Sequence, residues 1–133
     1  MPIDPQHPDL IASLHLDPHA ARAARHWVRR VDSPSPDLRD AVALLTSELV
    51  TRAVRPEEVA DEEMRLQVWM PSDIVRVELS VPRERFFAPE EERSEDLGAM
   101  VLDRIADRWS IQPNGHSVSL WFEIDRQPRG AAQ

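Results

Sequence analysis

The chain contains no cysteine and no lysine. Without cysteine there can be no disulfide, no thiol nucleophile and no cysteine-ligated zinc, and a reducing cytoplasm is the expected compartment. Without lysine, Schiff-base chemistry and a P-loop lysine on phosphate are excluded; all sixteen basic residues are arginine. No apolar run approaches the ~20 residues of a membrane-spanning helix, and the opening MPIDPQHPDL has neither the basic start nor the apolar core of a secretory signal. Positive charge is also scarce overall. The net charge of −8 argues against a broad nucleic-acid surface, which needs clustered cations against phosphates. A protein, or a cationic patch on one, is the expected partner.

The 133 residues suit a single domain with its core over about 10–125 and flexible ends at 1–9 and 126–133. LIASLHL (Leu10 to Leu16) alternates as a strand, with Leu10, Ala12, Leu14 and Leu16 on one side. Asp17-Pro18 reads as a cap and first-turn proline for a helix, HAARAARHWVRRV, ending near Val31. DSPSP is a loop. A second helix opens at Pro36, carries Leu38, Val42, Leu45, Leu49 and Ala53 at helical spacing, and stops by Pro56.

Strands are expected at Arg65 to Met70, Ile74 to Val81 and Ser117 to Ile124. In the second of these Val75, Val77, Leu79 and Val81 share a face, and in the third Val118, Leu120, Phe122 and Ile124 do. LGAMVLDRIADRW reads as a third helix, and the segment after it as a hairpin around Asn114-Gly115. This order predicts an α/β (α+β) two-layer sandwich, with helices covering one face of a mostly antiparallel sheet.

Few constellations carry chemistry. His7, His15, His19, His26 and His116 are scattered without the spacing of a metal pair, so no metal site is expected. The serines lack a nucleophile elbow. Trp27, Trp69, Trp109 and Trp121 read as core or interface anchors. Phe86 and Phe87 differ, because two adjacent large apolar side chains in a charged loop must either fold back into the protein or meet a partner.

Two segments, ALLTSELVTRAV (43–54) and LGAMVLDRIADRWSI (97–111) followed by SVSLWFEI, carry a resemblance to the small bacterial anti-sigma-factor serine kinases of the gyrase and histidine-kinase ATPase superfamily. By order of elements the likeness covers Leu10 to Asp125 and implies a histidine-kinase-like ATPase fold. It also implies an ATP pocket built on an N-box helix and glycine-rich loops.

Glu48 matches the N-box general base. Arg52 stands where the family has an asparagine that ligates magnesium, and guanidinium has five donors and no lone pair for a metal. Val81 and Pro82 align with the adenine-reading aspartate and the first glycine, and neither can replace them. In the second glycine box Gly98 survives while Asp96 replaces the other glycine, setting a carboxylate where phosphate would lie. Six acids and two arginines between Glu84 and Asp96, and five acids between Glu57 and Glu63, would make the pocket rim acidic.

The resemblance therefore implies a degenerate member that holds a sigma factor or an anti-anti-sigma-type protein, with a homodimer possible and no cofactor. The rival expectation is an active ATP- and magnesium-dependent serine kinase. A plainer account of Glu48 and Arg52 is an i,i+4 surface ion pair worth about 0.2 to 0.5 kcal/mol.

Overall fold

The computed structural model describes residues 6–31, 36–53, 60–71, 73–85 and 97–126. In chain order the elements are β1 (Leu10–Leu16), α1 (Ala20–Val28), α2 (Pro36–Ala53), β2 (Ala60–Trp69), β3 (Ile74–Pro82), a 3-10 turn (Arg83–Arg85), α3 (Leu97–Ile105), β4 (Arg108–Asn114) and β5 (Ser117–Asp125). The strands form one sheet in the order β1-β2-β3-β5-β4, and every ladder is antiparallel.

Alternation decides which side of the sheet is dry. Ala12, Leu14 and Leu16 of β1, Met64, Leu66 and Val68 of β2, Val75, Val77, Leu79 and Val81 of β3, and Val118, Leu120, Phe122 and Ile124 of β5 are all buried and point to the helix layer. The opposite face carries Ser13, Arg65, Arg76, Glu78 and Glu123. Helix α2 supplies the other half of the core through Val42, Leu45, Leu49 and Ala53, the stripe expected from its spacing. Helix α1 lies along α2 and buries Ala20, Ala24 and Val28, small side chains that allow close helix packing. The fold is a two-layer α+β sandwich.

Several boundaries differ from the sequence reading. Strand β2 begins at Ala60, five residues before Arg65, and His15↔Glu63 pairing carries it past the end of the apolar alternation. Helix α1 runs over Ala20–Val28, not from His19 to near Val31; its N-cap is His19, without a side-chain cap bond, and Asp17, expected as the cap, instead accepts the His19 N–H through Oδ1 at 2.8 Å in the turn before the helix. Helix α3 stops at Ile105 rather than Trp109, since Arg108 and Trp109 pair with Glu123 and Phe122 as the start of β4. The β4–β5 turn is centred on Gly115-His116, with Asn114 still paired to Ser117. Of the two turn residues only Gly115 has positive φ (68°), the signature of a type II′ turn with glycine first, so asparagine is spared the left-handed conformation. Strand β4 is a sheet edge and contains Pro113, which has no N–H to offer. The expected loop over 32–35, together with Phe86, Phe87 and Asp96, lies outside the described residues.

Candidate functional site

On α2, Glu48 and Arg52 do meet, but not as an exposed pair. The Arg52 side chain is 7% exposed and that of Glu48 27%, with Nη1 3.8 Å from Oε1. Nη1 also donates to the Glu48 carbonyl at 3.3 Å. The half-buried setting follows from α2 itself, which is flanked by both other helices. The guanidinium thus occupies the place one turn beyond Glu48 and engages that residue through side chain and backbone. Gly98 is the second residue of α3, and α3 packs against α2, so the helices bearing Glu48 and Gly98 are neighbours.

Val81 belongs to another environment. It is fully buried on the helix-facing side of β3, in register with Val118, while Pro82 pairs with Ser117 and ends the strand. The Arg83 N–H donates to the His116 carbonyl at 2.9 Å, tying the exit of β3 to the β4–β5 turn. Of the sequence-predicted positions, the fold makes Glu48 and Arg52 a bonded unit and assigns Val81 to the core. Among the described residues no group of His, Asp or Glu could hold a metal ion.

The outward sheet face is a connected polar network that sequence reading did not single out. Arg76 donates to Glu123 at 2.7 Å and to Glu78 at 3.3 Å, and its guanidinium lies 4.3 Å from the Trp121 ring centre. Arg108 bonds Glu123 and Asp125, and Ser119 donates to Glu78 at 2.5 Å. The register predicts these contacts, because Arg76, Glu123 and Arg108 are direct neighbours across three strands. Burial pushes the Glu123 carboxyl up, but hydrogen bonds and charge from Arg108 and Arg76 outweigh it and hold the group below its ordinary 4.5.

A carboxyl held low in the folded state stabilises the protein above its unfolded pKa, and that contribution is lost as pH falls. Stability is therefore expected to decline below about pH 4.5, with part of the decline absent in Glu123→Gln. The variant itself should cost about 1 kcal/mol at neutral pH, a figure discounted for partial exposure. Urea titrations of both proteins from neutral pH to pH 3 check this.

Two open grooves border the end of this face and share His116. One, of about 450 Å³, is lined by Ser13, Glu63, Arg65, Ser80, Val81 and Pro82 with their neighbours, so the end of β3 borders it although Val81 itself is buried; the other, of about 560 Å³, lies among Arg83, Glu84, Gly115 and His116. Their charges are mixed, and neither coincides with Glu48 and Arg52.

A further surface is basic and is legible in the sequence as a local run. From His19 to Val31 there are four arginines and no acid, and spacing of three and four brings Arg22, Arg25 and His26 of α1 together with Arg29 at its C-cap, Arg30 following in the turn. Reading net charge for the whole chain hides this local segregation. Like charges at such spacing each oppose an isolated helix by about 0.2 to 0.5 kcal/mol.

No protein-family model matches the chain, and no curated protein matches it.

Proposed function

We propose that this protein is a regulatory binding protein of the anti-sigma type, with a degenerate histidine-kinase-like ATPase fold, that acts by holding a protein partner and not by transferring phosphate. The observation that carries the reading is the Glu48–Arg52 unit: a guanidinium, largely buried and bonded to Glu48, stands where the resemblance calls for a magnesium ligand. A fixed cation there repels a divalent metal and offers it no lone pair. Val81 supports the same reading, since a buried valine presents no acceptor to an adenine amino group. The partner on this reading is a sigma factor or its antagonist.

The measurement is a thermal melt with and without Mg-ATP, combined with a phosphate-transfer assay on candidate antagonist proteins. Saturation at about a hundred times the dissociation constant would add about 2.7 kcal/mol of stability. No shift and no transfer are expected, with a sigma factor or antagonist retained in a pull-down. A nucleotide-dependent shift would show binding, and with phosphate transfer it would establish the kinase alternative. Arg52→Asn alone is expected to leave the melt unresponsive to Mg-ATP, because Val81, Pro82 and Asp96 remain; a restored shift would show that the arginine was the sole obstacle.

A further inference from the structure

Helix α1 buries Ala20, Ala24 and Val28 and turns Arg22 and His26 to solvent, with Arg25 half-buried beside them; Arg29, its C-cap, and Arg30, in the turn that follows, are exposed at the same end. At about 100° per residue, Arg22, Arg25, His26 and Arg29 fall within an arc of roughly 100°, and Arg30 follows in the next turn. Every ionisable side chain on that arc is basic. Among the described residues, none of Arg22, Arg25, Arg29 and Arg30 makes an ion pair. Arg30 is held over the Trp27 ring at 5.7 Å, and Trp27 in turn meets His26 edge-on at 5.8 Å, so the face has aromatic support.

Helix stability accounts for part of this arrangement. Cations in the last turn, here Arg25 and His26, complement the negative end of the helix dipole. Arg22 has no such reason. It lies in the first turn, where a cation opposes the dipole, and that turn holds no acid. In a chain of net charge −8, a concentrated basic face whose arginines make no ion pair among the described residues is suited to an external counter-charge.

We propose that the outward face of α1 is a docking surface for an acidic segment of a partner polypeptide, whose carboxylates pair with the arginine forks. Guanidinium matches carboxylate geometry with two parallel hydrogen bonds, which favours this occupant. Duplex DNA fits less well, because the remainder of the chain is more acidic than the whole and repels a long polyanion. A bilayer fits less well too: the face carries no exposed apolar side chain to enter the lipid boundary. The assignment does not depend on the anti-sigma reading, since it concerns only the chemistry that α1 recognises.

The test titrates the full chain with a fluorescent octaglutamate peptide, with labelled duplex DNA, and with phosphatidylcholine vesicles containing phosphatidylserine. Saturable octaglutamate binding that weakens with added salt is expected. The double variant Arg22→Glu/Arg29→Glu should weaken it by at least about tenfold, while Arg65→Glu on the far sheet face changes it by less than about twofold. Circular dichroism confirms the helix content of each variant. Should the double variant not fold, Arg22→Gln and Arg29→Gln serve singly, each expected to weaken binding about threefold. Absence of octaglutamate binding, an equal loss in Arg65→Glu, or stronger binding to DNA or to vesicles would each overturn the assignment.

Discussion

Phe122→Ala is expected to cost about 3 to 5 kcal/mol, enough to leave a domain of ordinary stability largely unfolded. Phe122 is fully buried, the largest such side chain among the described residues. It projects from β5 toward the helices, in register with Val77 of β3 on one side and Trp109 of β4 on the other. Truncation removes its transfer free energy and opens a cavity in a sheet whose backbone, paired on both sides, cannot collapse inward. Phe122→Leu, which keeps most of the volume, should cost less than half as much. Urea unfolding followed by tryptophan fluorescence measures both, and a loss below about 1.5 kcal/mol for the alanine variant would mean that the core closes over the gap.

The second large effect bears on function. Val81→Asp restores the aspartate that the resemblance calls for, yet it should destabilise the protein by roughly 4 kcal/mol or more at neutral pH, given that full burial raises a carboxyl by about three units or more. Val81 is 0% exposed and faces Val118 across the ladder, so an ionised carboxylate would be stranded in the core. The sign of the pH dependence is diagnostic. A carboxyl raised by burial is tolerated while protonated, so this variant should lose stability as pH rises above the unfolded value of about 4, opposite to the trend assigned to Glu123. Melting curves at pH 4 and pH 7 decide the matter. Undiminished stability at pH 7, accompanied by nucleotide binding, would place Val81 in an accessible pocket and not in the core.

Much of the architecture was legible because two-fold alternation and helical spacing are direct consequences of burying one face. The strands holding Val75 to Val81 and Val118 to Ile124, and the stripe from Val42 to Ala53, required nothing more. Errors arose where another force decided. Arg108 and Trp109 look helical in isolation, but Trp109 pairs beside Phe122 and its indole N–H bonds Asp103 at 2.7 Å, drawing the chain out of α3 and into β4. Ala60 to Glu63 carry no apolar alternation, and pairing with β1 holds them in the sheet.

The site was only partly legible. Residue chemistry alone disclosed that Arg52 cannot ligate a metal; that it would be nearly buried and tied to the Glu48 carbonyl depended on packing around α2. The network around Arg76 joins residues 47 positions apart through Glu123, and strand order was needed to see it. The basic face of α1 was open to inspection throughout and was concealed only by averaging charge over the chain.

The proline in β4 bears on how the protein behaves when crowded. Open-ended growth of a sheet from molecule to molecule requires two receptive borders on each copy, one to give and one to take. At Pro113 the β4 border has no hydrogen to donate, so a ribbon of repeating copies is interrupted at its first junction. One end of the sheet is thus a poorer template for a further strand by a single missing proton.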